Sequence, residues 1–276
     1  MDIFQAQFRS SLTCPSCERQ SNTFDPFLCV SLPIPQKQIR PFRVTVLYID
    51  QSPRQVRLGL TLPVESDVKE LREVLSKDTG IEPQQLSLVH IDDLSFQQTF
   101  CDSQPLSVIP DNCPLFAIEL PQHPDQEEDD GAFLVLTWVN VFKEGDKIEK
   151  RFGTPYTIQV SRETLYGDLQ KLLMKEMSPI IHDDILISAQ KVPLFKIRVL
   201  DGFEGRTYLD EAVEMPLYME CVETALNICQ VREPGCAAHV QLVLEWDMPA
   251  KTQVIADDSN PVEEHSSVKM VRESPQ

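Results

Sequence analysis

The residues whose spacing points most directly to chemistry are Cys14 and Cys17, in the stretch LTCPSCERQSNTFDPF at residues 12–27. A structural zinc site takes four ligands, and a CxxC turn supplies two of them because that spacing lets both thiolates face one point. Zinc ribbons use two such turns, whereas Cys14 and Cys17 form the single CxxC of this sequence. The spacing therefore predicts half of a zinc site, with Cys14 and Cys17 as its metal ligands.

Two other interpretations of this cysteine pair stay open. The two residues could be structurally idle cysteines on a loop. They could also form a redox pair, but such a pair sits at the start of a helix that lowers a thiol pKa. Here a polar turn and a strand-like run follow the CxxC, so the redox interpretation is the weaker one.

The other cysteines and histidines do not predict a catalytic group. A thiol nucleophile needs a histidine that activates it and a polar residue that orients the histidine. Six cysteines lie in segments with the pattern of a core or core edge, where thiols are usually inert: Cys29, Cys101, Cys113, Cys221, Cys229 and Cys236. The histidines share no motif: they are His90, His123, His182, His239 and His265. Cys221 and Cys229 are too far apart to complete the zinc site. His182 beside Asp183 and Asp184 reads as a solvated turn, and no glycine-rich phosphate loop is present.

Charge and hydropathy limit the partners of the chain. The 276 residues contain 25 Lys and Arg against 43 Asp and Glu, a formal net charge of -18, which repels nucleic acid and anionic membrane surfaces. No apolar run approaches the roughly 18 residues that span a bilayer, and the N-terminus does not resemble a signal peptide. The scattered cysteines fit reduced thiols. We expect an intracellular, soluble chain of the cytoplasm or nucleus, with neither nucleic acid nor membrane as a partner.

Residues 41–120 carry the pattern of one small α+β module. FRVTVLYI at 42–49 and QVRLGLTL at 55–62 predict a hairpin across the turn SPRQ. A helix is predicted after it, with Asp67 and Glu70 as a capping pair and Gly80 just past its end. Strands at 86–91, 96–100 and 115–120 follow. This element order is that of the β-grasp fold, which ubiquitin uses, and the module is expected to fold alone.

A second module is predicted after an acidic linker at 121–131, PQHPDQEEDDG. In residues 132–247, two strands precede an amphipathic helix with Thr164 as its expected N-cap. Further strands follow, so that a second β-grasp is one interpretation of this α+β module. Residues 202–238 are ambiguous between helix and strand. Residues 248–276 are charged and poor in aromatics, and we expect them to form a loose acidic segment.

The stretch FQAQFRSSLTCPSCERQSNTFDPFLCVSLPIP at residues 4–35 resembles the first half of the zinc-ribbon fingers of ubiquitin-specific proteases. In that family an FxGxxRS-like lead-in, a CxxC and a run like TFDPFLxLSLPLP stand in this order, and LVLEWDMP and EEHSSVK partly match later elements. The resemblance implies residues 1–35 as the first half of the fingers and an α+β fold in which one or two β-grasp modules are inserted between strands of an incomplete fingers region. It also implies that structural zinc requires a second CxxC, which the family places after the insertion and this sequence does not contain.

The resemblance further implies a portion of a thiol-dependent deubiquitinase, an internal fragment or a short isoform, whose partners are ubiquitin, ubiquitinated proteins and proteins that bind the ubiquitin-like module. The family's catalytic cysteine lies in a box like GLxNLGNTCYMN and its histidine in a box with a GHY-like ending. Neither string occurs here, so no residue inherits a catalytic role and the chain alone is predicted to be inactive. The alternative is a non-catalytic adaptor whose ubiquitin-like modules mediate protein–protein interaction.

Overall fold

The structure is a computed structural model that describes residues 6–27, 38–50, 52–122, 132–145, 147–185, 193–202, 206–233 and 236–273. The chain divides into two compact units, residues 1–38 and residues 39–276. In the first unit, strands β1 (Ala6–Thr13) and β2 (Gln20–Phe27) form an antiparallel hairpin around the CxxC turn. Residues 28–37, at the end of the fingers-like stretch, and most of the acidic linker lie outside the described residues.

The second unit begins with a mixed sheet that carries one helix. Its elements are β3 (Ile39–Leu47), β4 (Gln55–Pro63), α1 (Val68–Thr79), β5 (Leu86–Ile91), β6 (Phe96–Thr99) and β7 (Leu115–Glu119). The predicted hairpin is present as β3 and β4, and the strands lie in the order β4-β3-β7-β5-β6, with β3 and β7 parallel. The caps of α1 are those predicted: the Asp67 side chain accepts a hydrogen bond from the Glu70 backbone N–H, and Gly80 ends the helix at φ 76°. We call residues 39–122 the first module.

A second mixed sheet follows with the same succession of elements plus one helix. Its elements are β8 (Phe133–Glu144), β9 (Lys147–Ser161), α2 (Tyr166–Glu176), β10 (Phe195–Val199), β11 (Thr207–Tyr208), α3 (Glu220–Arg232) and β12 (His239–Asp247). The strand order is β11-β10-β12-β8-β9, with β8 and β12 parallel. The ambiguous residues 202–238 thus contain β11 and α3. The predicted N-cap of α2 is wrong by one residue, because Leu165 occupies that position, without a side-chain cap bond, instead of Thr164. We call residues 132–247 the second module.

The two modules share an apolar core between the sheet faces that point away from α1 and α2. This shared core contains Leu47, Val89, Ile91, Phe96, Phe116, Ile118 and Leu120 of the first module and Val135, Val139, Val141 and Val243 of the second. Hydrogen bonds cross the same boundary: the Arg151 backbone N–H donates to the Asp93 carbonyl at 2.7 Å, and the Gln241 amide donates to the Thr99 hydroxyl at 3.1 Å. Each sheet is therefore covered on one face by its own helix and on the other by the neighbouring module.

The expectation of a loose segment at residues 248–276 is wrong for the described part of that segment. It contains α4 (Met248–Val254), β13 (Glu263–Glu264) and α5 (Ser267–Glu273), and β13 pairs in parallel with β4 of the first module. Val254 and Val268 are fully buried. The segment folds because a few valines at suitable spacing meet apolar surface of both modules, which its high overall charge conceals in the sequence. No helix of the described ranges is long and apolar enough to cross a membrane.

Candidate functional site

The CxxC turn presents two thiols at the tip of the β1–β2 hairpin. The Glu18 backbone N–H donates to the Cys14 carbonyl at 2.9 Å, and Glu18 takes a positive φ of 53°, which closes the turn tightly. Both thiols are exposed. Hydrogen bonds from the backbone N–H groups of Ser16 and Cys17, and from the Cys17 thiol, lower the pKa of Cys14. Amide donors that favour a thiolate on a tight turn suit a metal ligand.

Within the described ranges, no third Cys, His, Asp or Glu stands near enough to Cys14 and Cys17 to complete a metal site. The turn therefore fits zinc as two of four ligands, and the sequence-based prediction of Cys14 and Cys17 as a half site stays a prediction. His182, Asp183 and Asp184 lie on an exposed turn. Cys29 and His123 lie outside the described residues.

Most of the other described thiols lie at core or core-edge positions, as predicted. Cys101, Cys113 and Cys221 are half-buried, and burial raises the pKa of each. A raised pKa leaves the thiol protonated and a poor nucleophile at neutral pH. These three positions therefore offer no activated thiolate.

A buried cluster of Cys229, Glu233 and His239 was missed by the sequence analysis. Cys229 lies on the last turn of α3, Glu233 follows that helix, and His239 is the first residue of β12. Their ligand atoms all lie within 4.8 Å of one another. Cys229 Sγ is 3.4 Å from His239 Nδ1, and Glu233 Oε1 is 4.0 Å from His239 Nε2. The end of α3 and the start of β12 thus bring three polar groups together that are separated along the chain.

Residues of the first module complete the surroundings of this cluster. Arg72 Nη2 lies 3.8 Å from Glu233 Oε2, and Arg72 Nε donates to Asp102 Oδ1 at 2.8 Å. The Ser87 hydroxyl lies 3.4 Å from both Glu233 carboxylate oxygens and from His239 Nε2. The cluster is therefore part of the contact between the two modules.

The electrostatics of the cluster follow from burial and from opposite charges. Burial raises the pKa of Glu233, while His239 and Arg72 oppose that rise. For His239, burial opposes protonation, but Cys229 and Glu233 outweigh it and raise the pKa to about 9. A cavity of about 460 Å³, lined by Cys229, Glu233 and His239 together with arginines of the second module, connects the cluster to solvent.

The cluster offers a sulfur, a nitrogen and an oxygen donor, which is a metal-binding set rather than a catalytic one. A cysteine next to a histidine is the beginning of a thiol nucleophile. However, the His239 side chain is only 2% exposed, so a peptide carbonyl cannot reach the imidazole as acid–base catalysis requires. Two signals in the sequence could have found the cluster: the C-x-x-H spacing of Cys236 and His239, and the four-residue separation of Cys229 and Glu233 at a helix end.

Comparison with known proteins defines the class. No family model matches the chain. It is 32% identical to ubiquitin carboxyl-terminal hydrolase 31 of Homo sapiens over 99% of the chain and 23% of that relative. It is 34% identical to ubiquitin carboxyl-terminal hydrolase 43 of Mus musculus over 88% of the chain and 23% of that relative, and 32% identical to the Homo sapiens hydrolase 43 over 91% and 24%.

These similarities confirm the family that the fingers-like stretch indicated. The chain belongs to the ubiquitin carboxyl-terminal hydrolases, the ubiquitin-specific proteases, and corresponds to a portion of such a protein. It spans about a quarter of the length of the relatives it matches.

Proposed function

We propose that this chain is part of a thiol-dependent deubiquitinase, to which it contributes half of the ubiquitin-gripping fingers and a regulatory ubiquitin-like insertion. The observation that carries the proposal is the CxxC turn at the tip of a hairpin, in a chain related over nearly its whole length to ubiquitin carboxyl-terminal hydrolases. The hairpin would hold ubiquitin, and Cys14 and Cys17 would hold structural zinc together with two ligands from elsewhere in the protein. The insertion would control access to ubiquitin or recruit protein partners.

The strand orders support two β-grasp modules within this insertion. In each sheet the first and last strands are parallel neighbours at the centre, the hairpin partner lies on one side, and the third and fourth strands lie on the other. In each module a helix follows the hairpin. This arrangement matches the β-grasp order twice, and the second copy adds α3 between its fourth and fifth strands.

The contact between the modules argues against the adaptor alternative. An adaptor that mimics ubiquitin must offer a sheet face to its partners. Here the faces opposite α1 and α2 cover one another, and Val89, Phe116 and Val139 are buried between them. We therefore favour an insertion that acts as one paired body over two independent ubiquitin mimics.

A chimera tests the proposal. Residues 1–276 would replace the matching portion of human ubiquitin carboxyl-terminal hydrolase 31, and release of rhodamine from ubiquitin-rhodamine would be measured. We expect the chimera to cleave the substrate and the isolated chain to be inactive. A thiol nucleophile needs a histidine beside it, and His239, which contacts Cys229, is buried. A Cys14→Ser/Cys17→Ser chimera should show a raised KM, since the fingers would lose their zinc.

Cys221→Ser is the matched control, because it removes a half-buried thiol outside the fingers and should leave KM unchanged. A chimera that is folded but does not cleave would contradict the proposal. So would turnover by the isolated chain that depends on one of its eight cysteines.

A further inference from the structure

We propose that Cys229, Glu233 and His239 form a site for a Zn²⁺-type divalent ion, separate from the CxxC of the fingers. The ligands would be Cys229 Sγ, His239 Nε2 and one Glu233 carboxylate oxygen, with a fourth position facing the adjoining cavity. This site lies entirely within the second module and is supported from outside by the first.

The positions of the donor atoms suit such an ion. Zinc takes thiolate sulfur at about 2.3 Å and nitrogen or oxygen at about 2.0–2.2 Å, so that tetrahedral ligands stand about 3.3–3.8 Å apart. The three donors already lie within 4.8 Å of one another. Glu233 already faces Nε2, whereas Cys229 Sγ stands 3.4 Å from Nδ1. Binding of the ion would therefore require the Cys229 side chain, on the last turn of α3, to rotate towards Nε2.

The hydrogen bonding of His239 fixes which ring nitrogen is available. His239 Nδ1 lies 3.0 Å from the Ala237 carbonyl oxygen. A carbonyl can only accept, so Nδ1 carries a hydrogen, and the ion would displace the proton of Nε2. Metal-binding histidines usually donate their other N–H to a carbonyl or carboxylate in this way. Nε2 faces the Glu233 carboxylate and the Ser87 hydroxyl, which is the side from which the ion would be bound.

The charges around the site balance when the ion is bound. The thiolate of Cys229 and the carboxylate of Glu233 together neutralise a divalent cation. The nearby Arg72 has its own counterion in Asp102, at 2.8 Å. Thiolate and imidazole ligands favour borderline-soft ions such as Zn²⁺ over Mg²⁺ or Ca²⁺. Access is through the cavity of about 460 Å³ that all three ligands line.

Metal binding would join the end of α3 to the start of β12 and so support the contact between modules. Ala237, just before β12, lies against the first module, where its backbone N–H donates to the Gln84 carbonyl at 2.8 Å. The ligand Glu233 also contacts Arg72 and Ser87 of that module. We therefore expect bound zinc to raise the melting temperature of the whole second unit.

Cobalt titration of the full chain tests the site. Cys14→Ser/Cys17→Ser is introduced first, so that the fingers contribute no thiol. We expect this double variant to bind one equivalent of Co²⁺ with a thiolate-to-cobalt charge-transfer band in the near ultraviolet. Adding Cys229→Ser should abolish the band and weaken binding by at least about 10–100-fold, since loss of even a supporting residue has that effect. Adding Cys221→Ser, on the same helix, should change neither.

Alkylation of the unchanged chain gives an independent measurement that needs no variant. Zn²⁺ should slow the modification of Cys229 by a thiol reagent, read by mass spectrometry, while Cys221 reacts at the same rate with and without the ion. The proposal is overturned if the double variant binds no stoichiometric cobalt, if Cys229→Ser leaves the titration unchanged, or if Zn²⁺ does not protect Cys229. The cluster would then be an ion-pair network between Arg72, Glu233 and His239.

Discussion

At the residue scale, Glu245 on β12 is the most fully compensated buried charge of the second module. Its side chain is 0% exposed and accepts hydrogen bonds from Lys143 Nζ at 2.9 Å, Arg198 Nε at 2.8 Å and the Tyr208 hydroxyl at 2.9 Å. These partners come from β8, β10 and β11, so that one carboxylate joins four strands of the sheet. A buried charge with this many partners contributes to stability chiefly because its removal leaves the partners uncompensated.

Replacing this carboxylate should destabilise the chain. We expect Glu245→Gln to lower the free energy of unfolding by about 3 kcal/mol, because Lys143 and Arg198 would remain mostly buried without a counterion. Urea denaturation measures the loss. Asp168→Asn is the matched control, since Asp168 pairs with Lys171 on an exposed surface and should change stability by less than about 1 kcal/mol. Equal effects of the two substitutions would contradict the role given to Glu245.

The same carboxylate should make stability depend on pH. Burial opposes ionisation of Glu245, but the hydrogen bonds from Lys143 and Tyr208 and the charges of Lys143 and Arg198 outweigh it and hold its pKa below the ordinary value of 4.5. A lowered pKa in the folded state contributes stability that is present above the unfolded pKa and is lost as the pH falls towards the folded one.

Acid titration of stability checks this expectation. Between about pH 5 and pH 3, the free energy of unfolding should fall more steeply in the unchanged chain than in Glu245→Gln, which cannot titrate at this position. Parallel curves for the two proteins would show that Glu245 has the same pKa in the folded and unfolded states.

Single residues with local partners could be predicted from the sequence, whereas residues with distant partners could not. The caps Asp67 and Gly80 act within one turn of α1, and both were predicted. The cluster of Cys229, Glu233 and His239 depends on how α3 ends against β12. That arrangement follows from packing on the first module. The sequence indicates it only through the short spacings of Cys236 with His239 and of Cys229 with Glu233.

At the element scale, the close packing of α5 against β4 depends on Gly59, a residue of β4 that has no side chain. A Cβ added to Gly59 would lie 2.6 Å from the Ser267 carbonyl oxygen, and the Gly59 backbone N–H donates to the Ser267 hydroxyl at 3.0 Å. This close approach lets Val268, which is 0% exposed, reach the core. The C-terminal segment therefore packs on the first module because glycine stands at one position of β4.

We expect Gly59→Ala to displace α5. The extra methyl group overlaps backbone that cannot move without releasing the helix, and such overpacking costs about 1–3 kcal/mol. Amide hydrogen exchange of residues 263–273 should rise. Gly167→Ala on α2 is the control, because its new Cβ would lie 3.4 Å from a flexible Glu214 carboxylate oxygen and a helical alanine is favoured by up to about 1 kcal/mol. Unchanged exchange at 263–273 in Gly59→Ala would be incompatible with this packing.

Elements with a strong internal pattern were predictable, and those whose order depends on the rest of the chain were not. The hairpin β3–β4 and helix α1 show clear alternation and helical spacing. The segment at 248–273 lacks such a pattern, because α4 buries one valine, Val254, and α5 buries two, Val268 and Val271. This segment is folded because it contacts both modules, and such contacts cannot be inferred from amino-acid composition.

At the scale of the whole molecule, the pairing of two sheets through their free faces is the main feature of the second unit. The strand β8 reads FLVLTWVNVFKE, and Leu134, Leu136 and Trp138 face α2 while Val135, Val139 and Val141 face the first module. A strand that is apolar on both faces is buried on both. The sequence thus indicated a second cover for this sheet but could not identify the other module as that cover.

The pairing of the modules is the central claim, and amide exchange across their boundary tests it most directly. Val139→Ala removes methyl groups from the shared core, whereas Val160→Ala removes them from the core around α2 of the same module. Each should cost about 1–3 kcal/mol. If the sheets cover one another, Val139→Ala should speed exchange in Leu115–Glu119 of the first module by about tenfold, the factor that 1.4 kcal/mol gives, and Val160→Ala should leave that strand near its original rate. Exchange in Leu115–Glu119 that is the same in both variants, or unchanged by Val139→Ala, would contradict the paired arrangement.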